Sequence, residues 1–548
     1  MAALADRVRA LLKRRNEPRT VISAHGERRV VVSSIILLLL VGLPLWWATT
    51  RVHRASLPAE AIAAFGKAAT QEMEMPFSFY VDATPALSAT QASAIERQAQ
   101  RLMDAQRMTG SARRVRYTAR VVAGVGAPDV AGHYTLRLRN AEALGVEVGV
   151  DRTVAVAVSA EPRRRVADVA RVVADMVGTE ERAVRLGSSG NTAQRAVKYA
   201  SEYAVSLTLL NENPVGGAAV TWDIESAAAA FMQPLVNALR PLTRLHVSTQ
   251  VLHHAGPPPV APLVASQSNA SRTDKFSYLT RDMLPHFVNS PWWNLASTDP
   301  IAPTLSFILY VPALAHQPLR ISATDGVAGE SKIGAFVIAQ WGGVAIANLP
   351  SGTKPGAEVV IRHAELQKYF GVFIAQLREL IGIRRDTPLL PAPGVIVRQA
   401  TATGISAWEL DALTRQWLLA NRHTAITTLQ SLVRLVDSMQ NMVVMDEIKN
   451  QVDQSLAALS AIPGALASNH LLAFELAANA SSFAEGAFFD PSMVSMLYFP
   501  DQHKYAIYLP FFLPVTIPLL AAIKKLAAAA KKKPAAARSQ VSGDKKDQ

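Results

Sequence analysis

Two uncharged apolar runs, one near each end, constrain this chain more than any other feature. Residues 30–47 (VVVSSIILLLLVGLPLWW) and 506–523 (AIYLPFFLPVTIPLLAAI) each hold 18 residues. As a helix, such a run is about 27 Å long, which fits a thin hydrocarbon core of about 27 Å. No face of the first run is polar, so a buried globular helix is a weaker reading of it than a membrane span. A cleaved signal peptide is the rival for the first run, but its apolar stretch normally spans about 7–15 residues. This run is longer and ends in Trp46 and Trp47, so it reads as an uncleaved signal anchor. The second carries Pro510, Pro514 and Pro518. Their spacing of four places them near one helical face. Proline removes a donor and bends a helix, and membrane helices tolerate it where neighbours satisfy the freed carbonyls. The expectation is a transmembrane helix with a proline face packed against protein. A bent anchor with no special partner is the alternative.

Flanking charge orients both runs. Residues 1–29 carry eight basic and three acidic side chains, and residues 524–548 carry eight basic and two acidic ones. By the positive-inside rule both tails are cytoplasmic, as two spans require. Trp46 and Trp47 close the first span on the far side, and Tyr505 and Tyr508 open the second on that same side. Aromatics with polar tips favour such an interface. The expected organisation is a basic tail (1–29), a first span (30–47), a large non-cytoplasmic body (48–504), a proline-rich span (505–523) and a second basic tail (524–548). The formal net charge of +13 therefore divides unevenly. Once the tails are set aside, the body holds 40 basic and 38 acidic residues. That is no nucleic-acid footprint; the basicity marks tails beside an anionic leaflet.

Within the body, β-branched or alternating segments at 115–122, 134–138, 146–158, 204–210, 245–252 and 305–311 read as strands. Short strands at 333–339 and 344–347 flank Trp341-Gly342-Gly343. Amphipathic patterns at 90–108, 162–177, 222–239 and 364–383 read as helices. Strands alternating with helices predict an α/β domain, a central sheet flanked by helices, over 48–400. From 401 to 504 nearly everything reads as helix, in two or three packed helices broken at Pro463-Gly464 and again near Gly486. Residues 256–274, rich in proline and then serine and asparagine, read as an exposed loop. No repeat of 20–50 residues is apparent.

The search for chemistry returns little. There is no P-loop, no G-x-S-x-G elbow and no H-E-x-x-H. The absence of cysteine excludes a disulfide framework, a cysteine-ligated zinc site and a cysteine nucleophile. His253 and His254 are adjacent, and neighbours on a strand point to opposite faces, so they make a poor metal site. Arg163-Arg164-Arg165 reads as a solvated helix face rather than an anion site. Pro291-Trp292-Trp293 reads equally as a membrane or partner contact and as a buried corner of the core. Two glycosylation sequons start at Asn269, in the polar loop, and at Asn479, in predicted helix where use is disfavoured. The C-terminus places Lys545 and Lys546 third and fourth from the end, like a dilysine retrieval signal of endoplasmic-reticulum membrane proteins. Ordinary tail basicity is the alternative. No catalytic residue, cofactor site or metal site is assigned.

Several ordered blocks resemble the PIG-S family, the S subunit of the glycosylphosphatidylinositol (GPI) transamidase. They are GLPLWW (42–47), RASLP (54–58), LSFILYVPALAHQPL (305–319), WGGV (341–344), FIAQLRELIGI (373–383), WELDAL (408–413) and FFDPSMVSMLYFPDQHKYAIYLPFFLP (488–514). Residues 110–300 carry few such landmarks. The resemblance implies a non-catalytic subunit in the endoplasmic-reticulum membrane, with a structural or substrate-handling role. It implies partners as well: a cysteine-protease-like catalytic subunit, further membrane subunits and the proprotein whose C-terminus receives the GPI anchor. A chain without cysteine is not that catalytic subunit. Competing classes are a membrane-anchored lumenal cargo or trafficking receptor and a stand-alone lumenal hydrolase or transferase.

Overall fold

Alternation of β-branched strands with amphipathic helices builds two sheets of the same topology. The computed structural model describes residues 53–536 with short interruptions, the longest being 107–114, 190–195, 296–301, 323–333, 384–394 and 496–500, together with part of the first apolar run; residues 1–32 and 537–548 lie outside the described residues. The chain divides into two compact units, one of Pro58–Gln430 and Asp453–Glu485, the other of Met1–Leu57, Ser431–Val452 and Gly486–Gln548.

Both sheets belong to the first unit. The first half runs β1 (Met73–Asp82), α1 (Ala89–Gln106), β2 (Val115–Ala123), β3 (His133–Asn140), β4 (Gly145–Val148), β5 (Thr153–Val158) and α2 (Pro162–Ser189). The second half runs β6 (Glu202–Asn211), β7 (Ala219–Trp222), short turns of helix leading into α3 (Gln233–Leu239), β8 (Arg244–His253), β9 (Leu263–Asn269), β10 (Arg272–Leu279), β11 (Thr304–Val311), β12 (Leu319–Ile321), β13 (Ala335–Ile338), β14 (Gly342–Ile346), β15 (Glu358–Ile361) and α4 (His363–Leu380). Strand order is β2-β1-β3-β5-β4 in the first sheet, extended by β16 (Val395–Val397), and β8-β6-β11-β14-β13 in the second. In each, four strands are parallel and the edge hairpin partner is antiparallel: β4 on β5, and β13 on β14. Helices correspond too. α1 packs on β2 and α2 on β5 and α1, as α3 packs on β8 and α4 on β14 and the helical turns before α3. The fold is thus a tandem of one α/β unit, too long a repeat for a 20–50-residue search.

The halves differ in what covers the sheet face away from the helices. In the second half, Phe307 of β11 meets Phe373 of α4 on the helix side, ring centroids 5.8 Å apart. On the opposite side Ile308, Tyr310, Val344 and Ile346 pack against Leu279, Phe287, Trp293, Leu319 and Ile321. These come from β10, β12 and the segment between β10 and β11, and β9-β10-β12 forms its own small sheet. The first half has no such insertion. Its strands are buried on one face only, in strict alternation, with Phe77, Phe79, Leu136 and Val156 almost inaccessible and their neighbours half-buried or exposed.

Helix dominates after Ala407, in α5 (Ala407–Ser438), α6 (Asp446–Leu466), α7 (His470–Phe488) and α8 (Asp501–Ala536). α5 opens on a capping box. Ser406 N and Oγ both donate to Glu409 Oε2, at 2.9 and 3.0 Å, and Glu409 N returns to Ser406 Oγ at 3.4 Å. In the second unit, residues following the first apolar run are strapped to the link between α5 and α6. Arg54 bridges Val444 in parallel, with Ala55 N donating to Val444 O at 2.9 Å and Val444 N to His53 O at 3.2 Å.

Several sequence expectations are corrected. Residues 256–274 are not a loop throughout, because 263–269 and 272–279 form an antiparallel hairpin. Pairing with β12 through Ser277, Tyr278 and Leu279 wins over polar composition, as tertiary context routinely does in strands. The run 146–158 is two strands, turned where Gly149 N donates to Thr153 O at 2.9 Å. Trp222 ends a strand rather than opening a helix. Pro463 lies inside α6, in its last two turns, where a missing donor frees a single carbonyl. The breaks fall instead at 439–445 and 467–469. Gly486 lies within α7, and a Cβ there would sit 3.0 Å from Gln451 Oε1, so it serves close packing.

Candidate functional site

Two of the sequence blocks, WELDAL and LSFILYVPALAHQPL, each contribute to a polar cluster. The first joins the first sheet to α5 and α7. The turn between β4 and β5 presents Arg152, and the first turns of α5 present Asp411 and, four residues on, Arg415. Arg152 grips Asp411 with both ends of its fork, Nε to Oδ2 at 2.8 Å and Nη2 to Oδ1 at 2.7 Å, and also pairs with Asp129. Asp411 Oδ2 accepts a further bond from the Tyr134 hydroxyl at 3.2 Å. That hydroxyl accepts from Arg415 Nη1 at 3.1 Å, and the Arg415 guanidinium lies 4.7 Å over the Phe77 ring. His470, at the start of α7, donates from Nε2 to Pro76 O at 2.8 Å and turns Nδ1 toward Arg415.

Electrostatics follow from this geometry. Burial works against the charge on Arg152, but the paired carboxylates outweigh it and hold the guanidinium above its ordinary range. Burial, reinforced by the Arg415 charge, pushes His470 down to about 3, so it is neutral at physiological pH. A cavity of about 140 Å³ opens beside the pair, lined among others by Asp129, Arg152, Pro241, Leu242 and Asn469. Every charged end of the network already has a partner. The Thr414 hydroxyl on the lining is spent on Leu410 O at 2.7 Å. The arrangement clamps three elements together.

The second cluster sits where open α/β sheets bind ligands, at the carboxyl ends of the strands where their order reverses. Here β6 and β11 end. The buried Glu212 accepts from the Tyr310 hydroxyl at 2.7 Å and from Ala313 N at 2.8 Å, and His316 Nδ1 lies 3.3 Å from its other oxygen. Burial, with the Glu212 charge added, raises the Tyr310 phenol and keeps it protonated. Tyr310, Ala313 and His316 of the same chain thus surround the Glu212 carboxylate.

The blocks explain one another locally. A Cβ on Gly343 would lie 2.2 Å from Gln376 Oε1. The bare glycine lets Gln376 of α4 reach over β14 and donate to Phe336 O at 2.9 Å and Val344 O at 3.2 Å. Arg378, from the same block as Gln376, pairs with Glu409 of the WELDAL block, Nη2 to Oε1 at 2.6 Å. Sequence reading missed Arg152, Asp411, Arg415 and His470. The i,i+4 pair on α5 was visible, but nothing in the sequence joins residue 152 to residue 411.

The residues singled out from sequence fall as follows. Pro510, Pro514 and Pro518 lie in α8 with exposed side chains, in the described helix long and apolar enough to cross a membrane, Ala506–Lys525, of which 6% is buried. Tyr505 and Tyr508 lie in the same helix, Tyr508 half-buried. The first apolar run is described as a shorter helix, Ser33–Gly42, and Trp46, Trp47, Lys545 and Lys546 lie outside the described residues. Asn269 is the last residue of β9, paired with Arg272 of β10. Asn479 is exposed on α7, but its sequon serine, Ser481, is buried. His253 and His254 are exposed. Arg165 is buried rather than solvated and donates to Asn140 Oδ1 at 2.6 Å. Trp293 belongs to the core, stacked on Tyr310 with centroids 6.0 Å apart, while Pro291 and Trp292 lie outside the described residues. Among the described residues no cluster of three or more metal-ligating side chains occurs.

Compared with known families, the chain matches "Phosphatidylinositol-glycan biosynthesis class S protein", PIG-S, over residues 33–533. The chain belongs to the PIG-S family. It is 36% identical over 336 residues to a human protein named "GPI-anchor transamidase component PIGS", a stretch covering 61% of this chain and 58% of that relative. It is 32% identical over 325 residues to the Schizosaccharomyces pombe "GPI transamidase component PIG-S homolog", covering 58% and 52%. A Saccharomyces cerevisiae relative, "GPI transamidase component GPI17", is 23% identical over 517 residues, 90% of each chain. The PIG-S match begins inside the first apolar run and ends beyond the second.

Proposed function

We propose that this chain is a non-catalytic subunit of the GPI transamidase of the endoplasmic-reticulum membrane, which attaches GPI anchors to the C-termini of proproteins. The observation that carries the reading is the PIG-S family match over 33–533 in a chain with no cysteine to serve as nucleophile. The closed network around Asp411 supports a bracing role rather than turnover. In this reading residues 30–47 and 505–523 span the bilayer, both basic tails are cytoplasmic, and the two α/β units and the helical region lie in the lumen. The body braces the cysteine-protease-like catalytic subunit or restrains the proprotein, and Pro510, Pro514 and Pro518 form a packing face toward a neighbouring membrane subunit. Lys545 and Lys546 act in retrieval. Asn269, at the end of β9, is the better glycan acceptor, because the buried Ser481 denies a transferase access to the sequon at Asn479.

Purification of the full-length chain in mild detergent tests this directly. The expected result is a cysteine-protease-like subunit at fixed stoichiometry. Its absence, or turnover of a substrate by the chain alone, sinks the reading. Replacing the three prolines by leucine should weaken assembly, and an undiminished complex would remove the contact face.

A further inference from the structure

The uncovered face of the first sheet is the strongest unexplained surface. A largely parallel sheet is normally covered on both faces, as the second sheet is. Parallel register fixes which side chains share the bare face. Ser78 lies beside Arg120 and His133, Tyr80 beside Val122 and Thr135, and Thr135 beside Thr153. Glu74 lies beside Arg116, Asp82 beside Arg137, and Arg137 beside Ala155. The floor therefore mixes Ser78, Thr135, Thr153 and Ala155 with the larger Tyr80, Val122 and His133. Around it stand Arg116, Arg120, Arg137 and Arg139, all exposed, and among the described residues none takes part in an ion pair. The same face carries the acids Glu74 and Asp82, and a third, Glu147, which is held by Arg398.

We propose that this arginine-rimmed face is the docking surface for a second protein presenting carboxylates. The proposal rests on the reading of the chain as a subunit of an assembly and says where on it one partner sits. Small ligands need concavity, and neither described cavity is lined by Ser78, Tyr80, Thr135 or Thr153. A second copy of this chain would bring arginines against arginines. A bilayer surface would call for large apolar side chains on the face, and only Val122 and Tyr80 approach that. Four strand spacings of about 4.8 Å make the face about 20 Å wide. That area forms the centre of a protein contact rather than all of it, since a standard interface takes about 800 Å² from each partner. Arginine is enriched in such contacts and forks onto carboxylates bidentately.

The test uses the full-length chain in its membrane assembly. A photo-crosslinking amino acid at position 135 should capture a peptide of a protein subunit that carries Asp or Glu. The quadruple variant Arg116→Glu, Arg120→Glu, Arg137→Glu, Arg139→Glu should lower recovery of that subunit at least tenfold. The corresponding four Arg→Lys changes should leave most of it. Reversing the captured carboxylates to lysine should restore at least half of what the quadruple variant lost. Should the quadruple variant fold poorly, the double variants Arg116→Glu/Arg120→Glu and Arg137→Glu/Arg139→Glu should each lower recovery with an unchanged thermal midpoint. Full recovery with the reversed face overturns the docking surface and leaves the subunit reading standing. Crosslinks only to lipid, to glycan or to a second copy also overturn it. Recovery of no partner by the unaltered chain overturns both.

Discussion

The two α/β units share strand order, strand direction and helix placement, and differ in one face. In the second, β9, β10, β12 and the stretch around Trp293 cover the sheet from within the chain. In the first, the corresponding face is left to a mixed set of arginine, threonine, serine and alanine with Tyr80, Val122 and His133. The difference teaches that one topology can serve as a closed core or as a half-open platform, depending on what the linkers supply. It was already written in the strands. LSFILYV in β11 is a nearly continuous apolar run, as a strand buried on both faces requires, whereas HYTLRLRN in β3 alternates.

That contrast can be broken by mutation. Trp293→Ala should cost about 3–5 kcal/mol, because it empties a site packed by Phe287 and Tyr310. The expected readout is a clearly lower thermal midpoint of the full-length chain. Tyr80→Ala, on the bare face of the other sheet, should cost far less, and equal losses would dissolve the comparison. Asp411→Ala should cost a similar 3–5 kcal/mol, since it strands the part-buried Arg152 without its main partner. Asp411→Asn keeps the shape and should show how much of the loss is charge.

Smaller effects sharpen the picture. Gly343→Ala should cost about 1–3 kcal/mol, because Gln376 cannot move aside without giving up its bonds to β13 and β14. His470 gives a pH signature. Its folded value of about 3 lies below the ordinary histidine value of 6.5, so the unfolded chain takes up a proton where the folded chain does not. Stability contributed by neutral His470 is full above 6.5 and is lost progressively as pH falls toward 3. His470→Gln should flatten that part of a stability-against-pH curve, and an unchanged slope would show that burial there is relieved. Arg137→Ala, at the exposed rim, should leave the midpoint unmoved.

Much of the fold was legible because its signals are local. The periods of α1, α4 and α5, the apolar run of β11 and the long apolar stretch of α8 all announce themselves within a window of 20 residues. The hairpin at 263–279 was not legible, since its strands are polar and owe their existence to β12, some 40 residues on. The clamp around Asp411 was hidden for the same reason: Arg152, Tyr134 and His470 come from distant segments, and pairing at such separations leaves no periodic trace. The WGGV block was visible as a motif, but its cause, the close approach of Gln376, emerged only from the packing.

The central claim is that the second sheet is closed by its own chain and the first by a partner. Arginine-selective chemical footprinting tests it most directly, comparing the free full-length chain with the chain in its assembly. The account predicts that Arg116, Arg120, Arg137 and Arg139 react readily in the free chain and at least fivefold more slowly in the assembly, while the exposed Arg164 on α2 reacts equally in both. Equal reactivity of all five in both states would contradict it.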